Sequence, residues 1–190
     1  QIPETKSKGN CLVSIWDLLD EEPLLNAIRR REVSSNPHDP DAPLIDHDKM
    51  VSSAGATGEM QIIPSQAMDP GYGAENIFDV GRAAGFDVAS EDEGTARALA
   101  NDPLVAREYA KSYISAMYDK FGNLDAAIGA YNVGPGAMGR SELKYDNLPK
   151  ETQDYVANVR RFYGEATGSP YAVGMSTRPR LRPSGLLEQY

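Results

Sequence analysis

Residues 103–136, PLVAREYAKSYISAMYDKFGNLDAAIGAYNVGPG, predict two consecutive helices. Pro103 suits a first helical turn, and apolar residues then recur at helical spacing as far as Phe121. Gly122 is a typical helix stop, and the asparagine after it can cap a second helix over residues 124–132. This part of the chain therefore favours an all-helical architecture.

The rest of the chain also shows helical patterns, which are weaker than those of residues 103–136. Apolar spacing and flanking proline or glycine predict helices over residues 23–35, 59–68 and 149–163, and two more between 75 and 101. There is little of the alternation that strands show. We expect a mainly α-helical fold with little or no β-sheet.

Length and composition indicate one globular domain. The chain has 190 residues, of which 41% are hydrophobic and 25% charged, which is enough for one hydrophobic core. Polar residues dominate the start, and proline, arginine and serine dominate the end. We therefore expect an N-terminal arm over 1–22, the domain over 23–168 and an extended C-terminal tail over 169–190.

Net charge excludes several kinds of partner. At −9, the chain would gain nothing from counterion release on nucleic acid and would be repelled by an anionic membrane. No apolar run is long enough to insert into a bilayer. Cys11 is the only cysteine, so an intrachain disulfide is impossible. The chain begins at Gln1 without a signal peptide, which suggests a removed leader or a piece of a longer protein.

One carboxyl group stands in an unusual position. Glu32 lies four residues after Ile28 and seven after Leu25, so it shares the apolar stripe of its predicted helix. An apolar setting raises the pKa of a carboxyl group, and a carboxyl that is protonated near neutral pH can act as a general acid. The alternative is an exposed carboxylate beside the arginines at 29–31.

Four segments resemble the motifs of the SLT (soluble lytic transglycosylase) family of the lysozyme-like superfamily. They are EVSSNP over residues 32–37, SSAGATGEMQIIP over 52–64, AYNVGPG over 130–136 and PKETQDYV over 149–156. Their order along the chain matches the family. The resemblance implies a lysozyme-like helical domain with a substrate groove.

The resemblance also implies a reaction. Family members cleave the β-1,4 bond between N-acetylmuramic acid and N-acetylglucosamine in peptidoglycan, and most leave a 1,6-anhydro ring on the muramic acid. Glu32 matches the single residue that acts first as general acid and then as general base. No cofactor is implied. The implied partner is the peptidoglycan glycan strand, met in the periplasm or at the cell wall, and delivery as part of a larger protein or virion assembly fits the acidic charge.

Further site residues follow from the same resemblance, position by position. Ser52 and Gln61 match residues that line the sugar groove, and Met60 is expected half in the core and half in the groove floor. Tyr131 matches a tyrosine whose hydroxyl reaches the catalytic carboxyl. Asn132 matches a residue that contacts the sugars or holds the site.

The closing motif supplies two more candidates. Glu151 and Tyr155 match positions at which family members touch the glycan or its peptide stem. A helix-start charge is the alternative for Glu151, since the helix dipole favours a carboxylate there. Plain core packing is the alternative for Tyr155.

Two positions depart from the family pattern. Val33 stands where the family has a serine, and Ser34 is not expected to replace that hydroxyl because neighbouring helix positions point in different directions. Glu59 stands where the family has a leucine. We expect it at a solvated helix N-terminus; if it faced the groove, it would raise the pKa of Glu32.

The long loop after the catalytic motif leaves other functions open. An inverting hydrolase needs a second carboxylate roughly 6.5–9.5 Å from the acid, and Asp46 or Asp48 in the 39–48 loop could serve in a lysozyme-type muramidase. A non-catalytic wall-binding module is the remaining alternative. The loop lacks the ligand pattern of a calcium site, and no metal is predicted.

Overall fold

The computed structural model describes most of the chain. The described residues are 14–17, 19–36, 39, 42–46, 51–142 and 144–169. Most of the predicted N-terminal arm, nearly all of the predicted C-terminal tail and part of the 39–48 loop lie outside them.

Helices form nearly all of the described structure. They are α1 (Glu21–Val33), α2 (Pro64–Ala67), α3 (Ile77–Ala83), α4 (Glu93–Asn101), α5 (Pro103–Phe121), α6 (Leu124–Val133), α7 (Pro135–Arg140) and α8 (Lys150–Thr167). Short 3-10 helices cover Ile15–Asp17 and Tyr145–Asn147. Within the described ranges, β-structure is limited to isolated bridges such as Thr57 with Ile62. The expectation of a mainly helical domain with little or no sheet is confirmed.

Helices α5 and α6 begin and end where the sequence predicts. The Asp102 side chain accepts hydrogen bonds from the amides of Leu104 and Val105, and Gly122 ends α5 with a left-handed φ of +61°. Asn123 then caps α6 by accepting from the amide of Ala126. Local side-chain chemistry therefore defines where both helices of this hairpin begin and where α5 ends.

The core lies where α1, α5, α6 and α8 meet. Each helix contributes side chains that solvent does not reach, including Ile28 from α1, Ile114 from α5, Ile128 from α6 and Tyr155 from α8. Burial of one such side chain contributes about 1.5–3 kcal/mol. Packing of α1 against α8 places the C-terminal end of α1, with Glu32, beside Tyr155 in the second turn of α8.

Residues ahead of the predicted domain start also pack onto the helices. Ile15 is buried, and the indole Nε1 of Trp16 donates to Ser115 Oγ at 2.7 Å. The amide of Asp20 donates to the Tyr163 hydroxyl at 3.1 Å. The end of the predicted 1–22 arm is therefore part of the packed structure, and α1 begins two residues before the predicted start.

The helix predicted over residues 59–68 is wrong in its first half. Thr57 and Ile62 exchange backbone hydrogen bonds of 2.9 and 3.0 Å, which close a tight turn, and only α2 is helical. Gly58 and Gln61 have φ values of +74° and +47°, which an α-helix excludes. Apolar spacing over so few residues fits a helix and a turn equally well.

Contact with α4 makes glycine necessary at position 58. A Cβ on Gly58 would lie 2.2 Å from the carbonyl oxygen of Ala100. The turn thus packs directly on the α4 backbone, and this contact fixes the position of Gln61.

None of the helices in the described part of the chain is both long enough and apolar enough to cross a membrane.

Replacing Gly58 should destabilise the fold far more than replacing Gly55. Both glycines have positive φ, but Gly55 has open space where a Cβ would be. We expect Gly55→Ala to cost about 1 kcal/mol from backbone strain alone, and Gly58→Ala about 3 kcal/mol because the clash with Ala100 adds to that strain. Urea unfolding of both variants measures the difference, and equal losses would contradict the close packing of the turn on α4.

Candidate active site

A groove of about 770 Å³ crosses the domain at the C-terminal end of α1. Its walls come from α1, the 52–70 segment, α5, the α6–α7 junction and the start of α8. Six of the predicted site residues line it: Glu32, Ser52, Gln61, Tyr131, Asn132 and Glu151. The tertiary fold therefore gathers side chains that lie up to 119 positions apart in sequence.

Glu32 combines access to the groove with a largely desolvated carboxyl group. Its Oε1 accepts a hydrogen bond of 2.6 Å from the hydroxyl of Tyr155. The pKa of Glu32 is raised from 4.5 to about 7, mainly by burial. The Tyr155 hydrogen bond and the positive charge of Arg31 oppose the increase, and the negative charge of Glu151 adds to it. The carboxyl is therefore close to half protonated at neutral pH.

Tyr155 lies beneath Glu32 and outside the groove lining. It is 1% exposed, and the guanidinium of Arg31 lies 5.1 Å from its ring centroid. Burial, followed by the nearby charge of Glu32, raises the pKa of Tyr155 well above its usual range, so the phenol keeps its proton. Tyr155 therefore donates a hydrogen bond to the catalytic candidate Glu32, and its buried side chain does not reach the groove.

Tyr131 lines the groove but does not make the contact that the sequence predicts for it. Its hydroxyl donates to the backbone carbonyl of Met60 at 2.8 Å, whereas the hydroxyl bonded to Glu32 belongs to Tyr155. Burial and the nearby charge of Glu32 raise the pKa of Tyr131 well above its usual range. Tyr131 therefore joins α6 to the 57–62 turn.

The 57–62 turn presents Gln61 to the groove and buries the adjacent Met60. Met60 has no exposed surface and does not line the groove, in contrast to its expected half-exposed position. Gln61 does line it, and its Nε2 donates to the carbonyl of Gly58 at 3.0 Å. Across the groove rim, Ser52 Oγ accepts from the amide of Ala56 at 3.0 Å.

Helix α8 supports the opposite wall. Asn132 is exposed in the groove, and its Oδ1 accepts a 2.8 Å hydrogen bond from the hydroxyl of Thr152. Glu151, in the first turn of α8, is exposed and lines the groove. Thr152 is buried, and sequence reasoning missed it because only its contact with Asn132 gives it a part in the site.

Glu59 is buried in an ion pair, so the expectation of a solvated helix N-terminus is wrong. Its side chain is 6% exposed, with Oε2 2.6 Å from Nε of Arg29 and Oε1 3.7 Å from Arg107. Arg107 also pairs with Glu22 at 2.7 Å. The ion pairs tie the turn to α1 and α5, and Glu59 does not line the groove.

Two aromatic residues that line the groove were missed as site candidates by the sequence analysis. Tyr109 and Tyr113 line the groove from α5, with ring centroids 6.2 Å apart, and Tyr113 packs edge-on against Tyr131 at 5.8 Å. Tyrosines four residues apart on a helix share one face, which could have indicated them. That face also carries core residues, and the sequence does not show where the core ends and the groove begins.

Three other residues that the sequence analysis considered, Val33, Ser34 and Asp46, do not line the groove. Val33 is fully buried, and the hydroxyl of Ser34 donates to the backbone carbonyl of Asn36 at 3.0 Å. Asp46 is exposed and does not line the groove, while Asp48 lies outside the described residues. The described residues hold no group of three histidine, cysteine, aspartate or glutamate side chains that could bind a metal ion.

Comparison with known proteins identifies the same family as the sequence motifs. The family model of the transglycosylase SLT domain matches residues 20–153. An inactive mutant of the lytic transglycosylase Slt from Pseudomonas aeruginosa is similar at 25% identity and a TM-score of 0.50, over 78% of this chain and 22% of its own. The 70 kDa soluble lytic transglycosylase SLT70 of Escherichia coli is similar at 25% identity and a TM-score of 0.53, over 83% of this chain and 24% of its own.

The chain thus spans about a quarter of the length of each of these two solved proteins. The family match covers more than half of this chain and includes every motif residue that lines the groove. The resemblance seen in the sequence is confirmed, and the chain belongs to the transglycosylase SLT domain family.

Proposed function

We propose that this domain is a peptidoglycan lytic transglycosylase that cleaves the bond between N-acetylmuramic acid and N-acetylglucosamine. The observation that carries the proposal is the Glu32 carboxyl, which faces the groove with a pKa raised to about 7. A group that must both give and take a proton works best with a pKa near the working pH. The two solved relatives are themselves lytic transglycosylases.

One carboxyl group is sufficient for the proposed reaction. Protonated Glu32 gives its proton to the glycosidic oxygen as the bond from that oxygen to C1 of the muramic acid breaks. The 6-hydroxyl of the same sugar then attacks C1 and passes its proton to the Glu32 carboxylate. The product carries a 1,6-anhydro ring, no water is consumed, and Glu32 returns to its protonated state.

The residues around Glu32 hold its carboxyl group in place and bind the sugars. Tyr155 holds the carboxyl from below by its 2.6 Å hydrogen bond. Ser52, Gln61 and Asn132 offer hydroxyl and amide groups to the sugars, and Glu151 completes the polar wall. The proposed site of action is the cell wall, and membership of a larger protein or virion assembly stays a prediction from the acidic charge.

Hydrolysis is the second candidate because carboxylates other than Glu32, those of Glu151 and Asp69, also line the groove. Glu151 faces the same space as Glu32 and influences its pKa, whereas Asp46 of the 39–48 loop does not line that space. A carboxylate in that place could activate a water molecule, as in a muramidase. The products distinguish the two reactions.

Mass spectrometry of muropeptides released from purified peptidoglycan tests the proposal. We expect the wild-type protein to release products ending in 1,6-anhydro-muramic acid. The Glu32→Gln variant should release none, with a rate loss of at least about 10³-fold, because the amide cannot donate and recover the proton.

The outcome of that measurement separates three functions. Reducing-end products one water heavier would identify a muramidase. Binding to peptidoglycan without any product from the wild-type protein would leave a wall-binding module. Full activity in Glu32→Gln would exclude Glu32 as the acid.

The pH dependence of kcat/KM should respond oppositely to two variants. The rate should fall as pH rises through the pKa of Glu32, because the first step needs the protonated acid. Tyr155→Phe removes a hydrogen bond that lowers this pKa, so the fall should move to higher pH, whereas Glu151→Gln removes a repulsion and should move it to lower pH. Profiles that move in the same direction would contradict these contacts.

The free energy of unfolding should depend on pH because of the raised pKa of Glu32, and no substrate is needed to measure it. The folded-state pKa of Glu32, about 7, exceeds the ordinary value of 4.5, so the folded protein binds more protons between these values and loses stability as pH rises through them. The loss is on the order of 3 kcal/mol. Urea unfolding at pH 4 and pH 8.5 should therefore show a gain for Glu32→Gln over wild type at pH 8.5 only. An equal difference at both pH values would mean that Glu32 titrates normally.

A further inference from the structure

An exposed aromatic ring stands beside the groove without a part in the core. Tyr72 is 53% exposed and does not belong to the hydrophobic core cluster. The ammonium of Lys120 lies 4.1 Å from the centroid of its ring and 5.6 Å from that of Phe121. We call Tyr72 and Lys120 together the Tyr72 platform.

The backbone at Tyr72 is strained, and core packing does not account for the strain. Its φ is +56°, between Gly71 at +66° and Gly73 at +84°. A side chain other than glycine or asparagine in this region costs about 1 kcal/mol, and such strain concentrates at functional sites. A bulky ring held in that conformation and left exposed points to a ligand outside the protein.

The loop that carries the ring is fixed to α5. The amide of Glu75 donates to Ser112 Oγ at 3.2 Å, and the amide of Ala74 donates to the carbonyl of Gly71 at 3.0 Å. Lys120 reaches the same loop from the last turn of α5. The loop is therefore attached to α5 at Glu75, and Lys120 contacts the ring itself, so the ring loses little freedom when a ligand packs against it.

The platform continues the groove. Asp69 and Pro70, just before the loop, line the groove, and so does Tyr113 from α5. Burial, and to a smaller extent the charge of Tyr72, raises the pKa of Tyr113 to about 12. A glycan strand that follows the wall formed by Tyr113 therefore meets Tyr72 next.

We propose that the Tyr72 platform is a further subsite for one N-acetylhexosamine ring of the glycan strand. The apolar face of the sugar packs on the face of the Tyr72 ring opposite Lys120, and Lys120 supports the ring from its own side. Tyrosine gives such a contact at low entropic cost, because its ring has few rotatable bonds. The inference rests on the proposed function, since it takes the groove to bind a glycan.

Binding of N-acetylglucosamine oligomers tests the subsite. In the Glu32→Gln protein, isothermal titration with the trimer and the hexamer gives the gain in affinity that a longer strand brings. Adding Tyr72→Asn removes the ring and keeps a residue that tolerates positive φ. We expect the hexamer Kd to rise about five-fold, which is typical of one lost ring contact, and the gain from trimer to hexamer to shrink.

Two matched variants control the experiment. Tyr72→Phe keeps the ring and should leave the hexamer Kd within about two-fold. Phe86→Ala removes another exposed ring, which is 40% exposed and does not line the groove, and should leave the Kd unchanged. Thermal unfolding should show that Tyr72→Asn is as stable as its parent, because the substitution relieves strain.

Each other outcome overturns the subsite. An unchanged hexamer Kd in Tyr72→Asn, an equal loss in Phe86→Ala or no hexamer binding to the Glu32→Gln parent would each do so. Failure of the proposed function is read separately, from the absence of muropeptide products with the wild-type protein. If the domain is catalytically active but Tyr72→Asn leaves its glycan affinity unchanged, the subsite is wrong and the proposed function stands.

Discussion

The hydrogen bond from the Tyr155 hydroxyl to the Glu32 carboxyl joins the fold to the chemistry. It spans the interface between α8 and α1, so it forms only when those helices pack correctly. The same packing removes water from the carboxyl and raises its pKa to about 7. The hydrogen bond favours the charged form of Glu32, and burial disfavours it. Because the two effects oppose each other, Glu32 can both give and take a proton.

The 57–62 turn is the second constraint, because it sets the groove wall that faces Glu32. Gly58 brings the turn onto the carbonyl of Ala100, Tyr131 bonds the Met60 carbonyl, and Glu59 pairs with Arg29. Leaving a buried carboxylate without its partner costs several kcal/mol, so the ion pair couples the turn to the helix that carries Glu32. Wall and catalytic candidate are therefore held in one rigid frame.

Charge and aromatic surface have separate places around the site. The carboxylate of Glu151 lines the groove and raises the pKa of Glu32. Arg31 lies outside the groove lining, where its guanidinium packs on the Tyr155 ring. Tyrosine rings at 109 and 113 form the wall beyond them. Hydroxyl, amide and aromatic groups in this arrangement suit the glycan strand that we propose as the ligand.

The sequence alone determined the helical class, the α5–α6 hairpin with its caps, and Glu32 as the acid candidate, because each depends on local spacing or a contiguous motif. Tertiary structure decided which hydroxyl meets Glu32, that Met60 turns inward and that Glu59 is buried. These depend on which helices face each other and on the left-handed turn at Gly58, and no local pattern encodes either.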